Sequence, residues 1–247
     1  MDLDFYVTER VYGRGEAGVI HEATSQYTAM LQSLPHSRHI AEFAVKVIRS
    51  NHILGYTLVD KVELYDRMNH LPHILPLLHW VAFLRDGTTI DPSSDRFDLL
   101  REPDAGCYMI ILTFERMHYT LAELDRVLTP GQRKDACLQM IHMIRSLHAI
   151  DIAHNDFHMG NIMGRKQPDG SYIFKLIDFE LGHHDDDGLE TQPDYDQLVE
   201  NIALLLTGEY PCEATHPELA QVLETFRRSR RRPPPFNRLI AAVNTIS

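Results

Sequence analysis

Apolar and polar positions change their rhythm near the middle of the chain. Residues 4–12 alternate as a strand does, and after Gly13-Arg-Gly15-Glu-Ala-Gly18 a second strand starts at Val19-Ile20. Residues 25–40 are polar and irregular and read as an insertion before a third strand, Glu42-Phe-Ala-Val-Lys46-Val-Ile48. Residues 56–70 carry Leu58, Val59, Val62, Tyr65 and Met68 at helical spacing. A turn and a fourth strand, His79-Trp-Val-Ala-Phe-Leu84, come next. Residues 85–106 are loop-like, rich in Asp, Pro and Ser. A fifth strand, Cys107-Tyr-Met-Ile-Ile-Leu-Thr-Phe114, is nearly all apolar and is expected to be buried on both faces.

The second half has a helical period. A short helix begins at Thr120, and Thr129-Pro-Gly-Gln132 caps a long one. Ala136, Met140, Ile144 and Leu147 share one face of that long helix, which reads as core rather than as a cofactor stripe. A further apolar helix spans residues 194–208. The pattern predicts an α+β chain, with its strands first and its helices after.

Composition changes this picture little. The 247 residues are 44% hydrophobic and 24% charged, which suits an ordinary soluble globular protein of one large domain or two small lobes. The formal net charge of −11 disfavours direct nucleic-acid binding. Cys107, Cys137 and Cys212 form no Cys-x-x-Cys pair, so a reducing compartment is expected and a disulfide framework is not. No apolar run nears the roughly 20 residues of a membrane span. The first residues lack a basic, signal-type start, so the expected place is intracellular, in cytoplasm or nucleus. Two charge runs stand out: Asp185, Asp186 and Asp187, and a basic run at residues 227–232 leading into Pro233-Pro-Pro235. Such runs are most often solvated surface.

Candidate chemistry gathers in two stretches, Ile152-Ala-His-Asn-Asp-Phe-His-Met-Gly-Asn161 and Leu176-Ile-Asp-Phe-Glu180. The first places an Asp and an Asn five apart in a polar loop; the second ends a short apolar strand on an Asp. Phosphoryl transfer with magnesium needs such a set: an Asp to orient the attacking hydroxyl, and an Asn and a second Asp to hold the metal. His154-x-Asp156-x-His158 could alternatively ligate zinc or iron. The glycine turn at residues 13–18 lets backbone amides approach phosphates, and its Val-Ile continuation is a strand rather than the helix of a dinucleotide fold. Lys46 is either a phosphate ligand or an edge-strand lysine facing water.

In this order the motifs resemble the protein-kinase-like superfamily. His154-Asn-Asp156 with Asn161 stands for its H-R-D-x-x-x-x-N, and Asp178-Phe-Glu180 for its D-F-G. Asp-x-His-x-Gly-Asn resembles haspin-like and viral-type kinases and the aminoglycoside and choline phosphotransferases. The resemblance covers residues 5–210. It implies a bilobal fold: a five-stranded antiparallel N-lobe sheet with one helix (residues 1–116), and a small, mainly helical C-lobe (residues 117–247). ATP and Mg²⁺ are the implied cofactors. Gly13, Gly15, Gly18 and Lys46 would take the phosphates, and Glu63 would steady Lys46, with Asp60 and Asp66 as rivals. Backbone near Glu115 and Met117 would pair with adenine. Asp156 would be the base, Asn161 and Asp178 the metal ligands, and His158, where Ser/Thr kinases carry a Lys, a donor to the moving phosphate. His154 would bond within the loop, and the helix at residues 194–208 would anchor it. Asn155 replaces the Arg that pairs with a phosphorylated activation loop, and the segment after Asp178 is short, so activity is expected not to depend on such phosphorylation.

The expected activity is that of an atypical serine/threonine protein kinase, with a basic peptide as a candidate substrate drawn to residues 185–187. A small-molecule phosphotransferase and a nucleotide-binding scaffold docking through its Arg/Pro-rich segment are the alternatives.

Overall fold

The computed structural model describes residues 3–15, 18–49, 54–101, 106–179, 181–184, 191–212, 215–228 and 235–246. The chain divides into two compact units, Met1–His70 with Leu75–Met117, and Leu71–Ile74 with His118–Ser247. It is an α+β protein whose strands build an antiparallel sheet in the first unit and whose helices dominate the second.

The first unit contains β1 (Val7–Gly15), β2 (Gly18–Ala23), α1 (Ser25–Ser33), β3 (Phe43–Arg49), α2 (Leu54–Met68), β4 (Leu77–Leu84), β5 (Thr89–Ile90) and β6 (Cys107–Glu115). All neighbours in the sheet β1-β2-β3-β6-β4-β5 are antiparallel. Two expectations need correction. The sheet has six strands, not five: Thr89–Ile90, inside the stretch read as loop, pairs with Phe83 and Ala82. Two residues are too short a run for alternation to show.

The insertion at residues 25–40 is also not irregular, because Ser25–Ser33 is a helix, so the unit has two helices rather than one. Thr24 caps it, its hydroxyl accepting from the Tyr27 N–H at 3.0 Å. Tyr27 and Leu31, one turn apart, are fully buried. They pack with Phe43, Val45, Val47, Val81, Phe83 and Ile111 on one face of the sheet. The other face carries Ala44, Lys46 and Ile48, alternating along β3, and lies toward α2, where Tyr65 meets Phe114 at 5.6 Å. With helices on both sides, β6 is buried on both faces, as its apolar run predicts. Its one buried hydroxyl, Thr113, bonds the Tyr27 hydroxyl at 2.8 Å, which also meets His79 Nδ1 at 2.9 Å.

The second unit holds β7 (Tyr119–Thr120), α3 (Leu121–Leu124), α4 (Pro130–His148), β8 (Ile152–Ala153), β9 (Ile162–Lys166), β10 (Tyr172–Leu176), β11 (His183–His184), α5 (Gln192–Thr207), α6 (Pro217–Arg227) and α7 (Phe236–Thr245). Capping boxes at Thr120 with Glu123 and at Thr129 with Gln132 start α3 and α4. Ala136, Met140, Ile144 and Leu147 are fully buried, as core. Two small ladders, β10-β9-β7 and β11-β8, carry the loop described below. Among the described residues, no helix is long and apolar enough to cross a membrane.

Candidate active site

In the first unit, Gly15 pairs with Gly18 at the tip of the β1–β2 hairpin. A Cβ on Gly18 would stand 2.5 Å from the Val47 carbonyl oxygen, so only glycine lets β2 lie this close to β3. Gly13 is under no such constraint; the nearest atom to its Cβ would be Ile20 Cδ1 at 3.9 Å. Lys46 is half-buried on β3, opposite Ile20 and Leu112. Glu63 is exposed on α2, as are Asp60 and Asp66. Glu115 closes β6 opposite Phe43, and Met117 is buried just beyond. Between them Arg116 pairs with Glu42 at 3.1 Å and lies over the Tyr12 ring at 4.1 Å, tying this segment to the residue before Gly13. Sequence reasoning missed that strap, because nothing in the sequence places β1 beside the end of β6.

In the second unit, Asp156, His158, Asn161 and Asp178 come together around one loop. The Asn161 amide donates both protons to Asp156, to its carbonyl at 3.0 Å and to its Oδ2 at 2.9 Å. The amide oxygen is the atom then left for a cation, which suits a hard metal such as magnesium. Leu176 pairs with Ile162, and the Ile177 N–H donates to the Asn161 carbonyl at 2.9 Å, which brings Asp178 to the loop. Asp178 and Asn155 have φ of 65° and 62°. Asp and Asn tolerate that left-handed region better than most side chains, which fits their places at two sharp reversals.

His154 is wholly buried at the centre. Its Nδ1 accepts from the Asp156 N–H at 3.2 Å, so its proton is on Nε2 and goes to the Ile177 carbonyl at 2.9 Å. Burial pushes its pKa down, outweighing that bond and the nearby carboxylates of Asp194, Asp156 and Asp178. The Phe179 ring meets it edge-on at 4.7 Å. Both nitrogens are thus committed within the protein, and the zinc-type alternative loses its first ligand.

Three side chains on one face of α5 hold the loop backbone. Asp194, fully buried, accepts from the His154 N–H at 2.8 Å, the Asn155 N–H at 2.7 Å and His148 Nε2 at 2.8 Å. One turn on, Gln197 Oε1 accepts from the Phe157 N–H at 2.5 Å, and a turn further Asn201 donates to the Phe157 carbonyl at 2.7 Å. The resemblance implies an anchoring helix here, but these three side chains were not singled out. Their signal was present: three polar residues at i, i+3 and i+7 inside an apolar helix. Glu180, residues 185–187 and residues 229–232 of the basic run lie outside the described residues.

Residues 105–207, less than half of the chain, match the model of the lipopolysaccharide kinase (Kdo/WaaP) family. The similarity is to a protein-kinase-like family of phosphotransferases. The matched span holds Asp156, His158, Asn161, Asp178 and Asp194, and leaves out Gly13, Gly15, Gly18, Lys46 and Glu63. No curated protein matches the chain.

Proposed function

We propose that the chain transfers the γ-phosphoryl group of ATP to a hydroxyl acceptor, with Mg²⁺. The observation that carries this reading is the Asn161 amide clamped on the Asp156 carboxylate with Asp178 brought alongside. Asp156 would orient the acceptor hydroxyl. The Asn161 amide oxygen and the Asp178 carboxylate would hold magnesium, which, when bound, neutralises charge on the phosphate oxygens. In the other unit, Gly13, Gly15, Gly18 and Lys46 would bind the phosphates, Glu63 would steady Lys46, and the backbone at Glu115 and Met117 would take the adenine.

The match to a lipopolysaccharide kinase family favours a saccharide hydroxyl, as on a glycolipid core, over a protein side chain. A second reading, a serine/threonine kinase acting on basic peptides, rests on the short stretch between Asp178 and α5 and on the acidic residues within it. Labelled ATP offered with lipopolysaccharide core saccharides and with basic Ser/Thr peptides separates them. Label should enter the saccharide and vanish with Asp156→Asn. Label in peptide alone supports the second reading. Label in neither, with no ADP formed, removes both.

A further inference from the structure

His158 is exposed and stands beside Asp156, with Nε2 3.5 Å from Oδ2. It also caps the turn Met159–Asn161: its Nδ1 accepts from the Gly160 N–H at 3.0 Å. An imidazole nitrogen that accepts carries no proton, so a neutral His158 must keep its proton on Nε2, the atom facing Asp156. The close approach depends on residue 160. A Cβ there would stand 2.8 Å from His158 Cε1 and 2.9 Å from Nδ1, so any side chain would push the ring away.

We propose that Gly160 is a positioning residue that fixes His158 as a neutral Nε2–H donor aimed at the Asp156 carboxylate and at the phosphoryl group moving past it. This rests on the phosphotransfer reading above. In the step, the acceptor oxygen forms the new bond to the γ-phosphorus. The bond from phosphorus to the bridging oxygen breaks, its electron pair leaves on ADP, and the acceptor proton passes to Asp156. His158 Nε2–H donates a hydrogen bond without giving up its proton, so the imidazole need not be charged to act. This differs from a lysine at the same place, which acts as a point charge.

The donor and the cap can be separated. His158→Asn retains an oxygen able to cap the turn but has no donor that reaches Asp156. It should keep the melting temperature and the KM for Mg·ATP while kcat for ADP formation falls by about a hundredfold, the scale for losing one aimed donor. Gly160→Ala should lower kcat similarly, and the double variant no further. Nitrogen-15 spectra of histidine-labelled protein, recorded where the His158 imidazole is neutral, should show the Nε2–H tautomer for His158 in the wild type and a mixture in Gly160→Ala. An active wild type matched by His158→Asn overturns this inference alone. So does an Nδ1–H tautomer, whether or not the protein is active. A wild type that turns over no Mg·ATP overturns the phosphotransfer reading with it.

Discussion

The glycine hairpin of the first unit and the loop at residues 154–161 of the second are built on opposite plans. The hairpin is held by backbone pairing, from Val7↔Ala23 to Gly15↔Gly18, and by absence: Gly18 has no side chain where one would strike β3. The loop is held by presence. Asp194, Gln197 and Asn201 reach from α5 to its backbone, His154 fills its centre, and Asn161 grips Asp156. A segment fixed mainly by its own ladder can shift with a ligand, whereas one fixed by buried charge and amide contacts presents its groups already aimed. The second plan is the one that the phosphotransfer proposed above asks of the loop, with its side chains held in place before a substrate arrives.

The contrast can be broken most severely at Asp194. Asp194→Asn replaces an oxygen that accepts from N–H groups by a donor, at a fully buried position. With Asp194 fully buried, the N–H groups left unpaired should cost about 3–5 kcal/mol in denaturant unfolding, and ADP formation should be abolished. Retained stability would mean that the loop is not hung from α5.

In the hairpin the damage should be steric. Gly18→Ala forces β2 away from the Val47 carbonyl and should cost about 1–3 kcal/mol, while Gly13→Ala, with open space, stays within about 0.5 kcal/mol. Equal effects at the two glycines would remove the distinction between them.

Acid should loosen the molecule through its buried and half-buried histidines. Burial lowers the pKa of His73 and His154 in the second unit and of His79 in the first. In each case the unfolded chain binds the proton more readily, so stability is full above the ordinary value of 6.5 and falls as pH drops below it. The slope should reach at most about 1.4 kcal/mol per pH unit for each histidine, read from denaturation midpoints across that range. Stability that rose on acidification would contradict the burial of these rings.

A modest loss of stability alone is expected at Tyr27→Phe. It removes the partner of Thr113 and of His79 Nδ1 and should cost about 1 kcal/mol, leaving activity intact. A loss of activity there would link α1 to the far face of the sheet, which carries Lys46.

Much of this was legible before the structure, and the physical reasons differ by region. Asp156, Asn161 and Asp178 could be picked out as a group because the magnesium chemistry proposed for them restricts both residue type and spacing, and the structure brings them to one loop. The long helix at residues 130–148 was readable because its apolar period runs through several turns. The helix at residues 25–33 was hidden, since only Tyr27 and Leu31 face the core and one i, i+4 pair among polar residues makes no period. Thr89–Ile90 was hidden by brevity. The helix at residues 194–208 was legible as an anchor through resemblance alone; which of its side chains hold the loop was not, because the partners of Asp194, Gln197 and Asn201 include backbone groups some 40 positions away, and backbone leaves no mark in a sequence. His158 was singled out for its place two residues after Asp156; that Gly160 fixes its tautomer emerges only from distances.

The most direct test of the account is ADP formation from ATP with and without magnesium, on wild type beside Asp178→Asn. Asn tolerates the left-handed backbone of that position, removes the charge and turns one carboxylate oxygen into an amide donor. The account predicts magnesium-dependent turnover by the wild type and a loss of about a hundredfold or more in the variant, with its fold intact. Turnover that is indifferent both to magnesium and to Asp178 would contradict it.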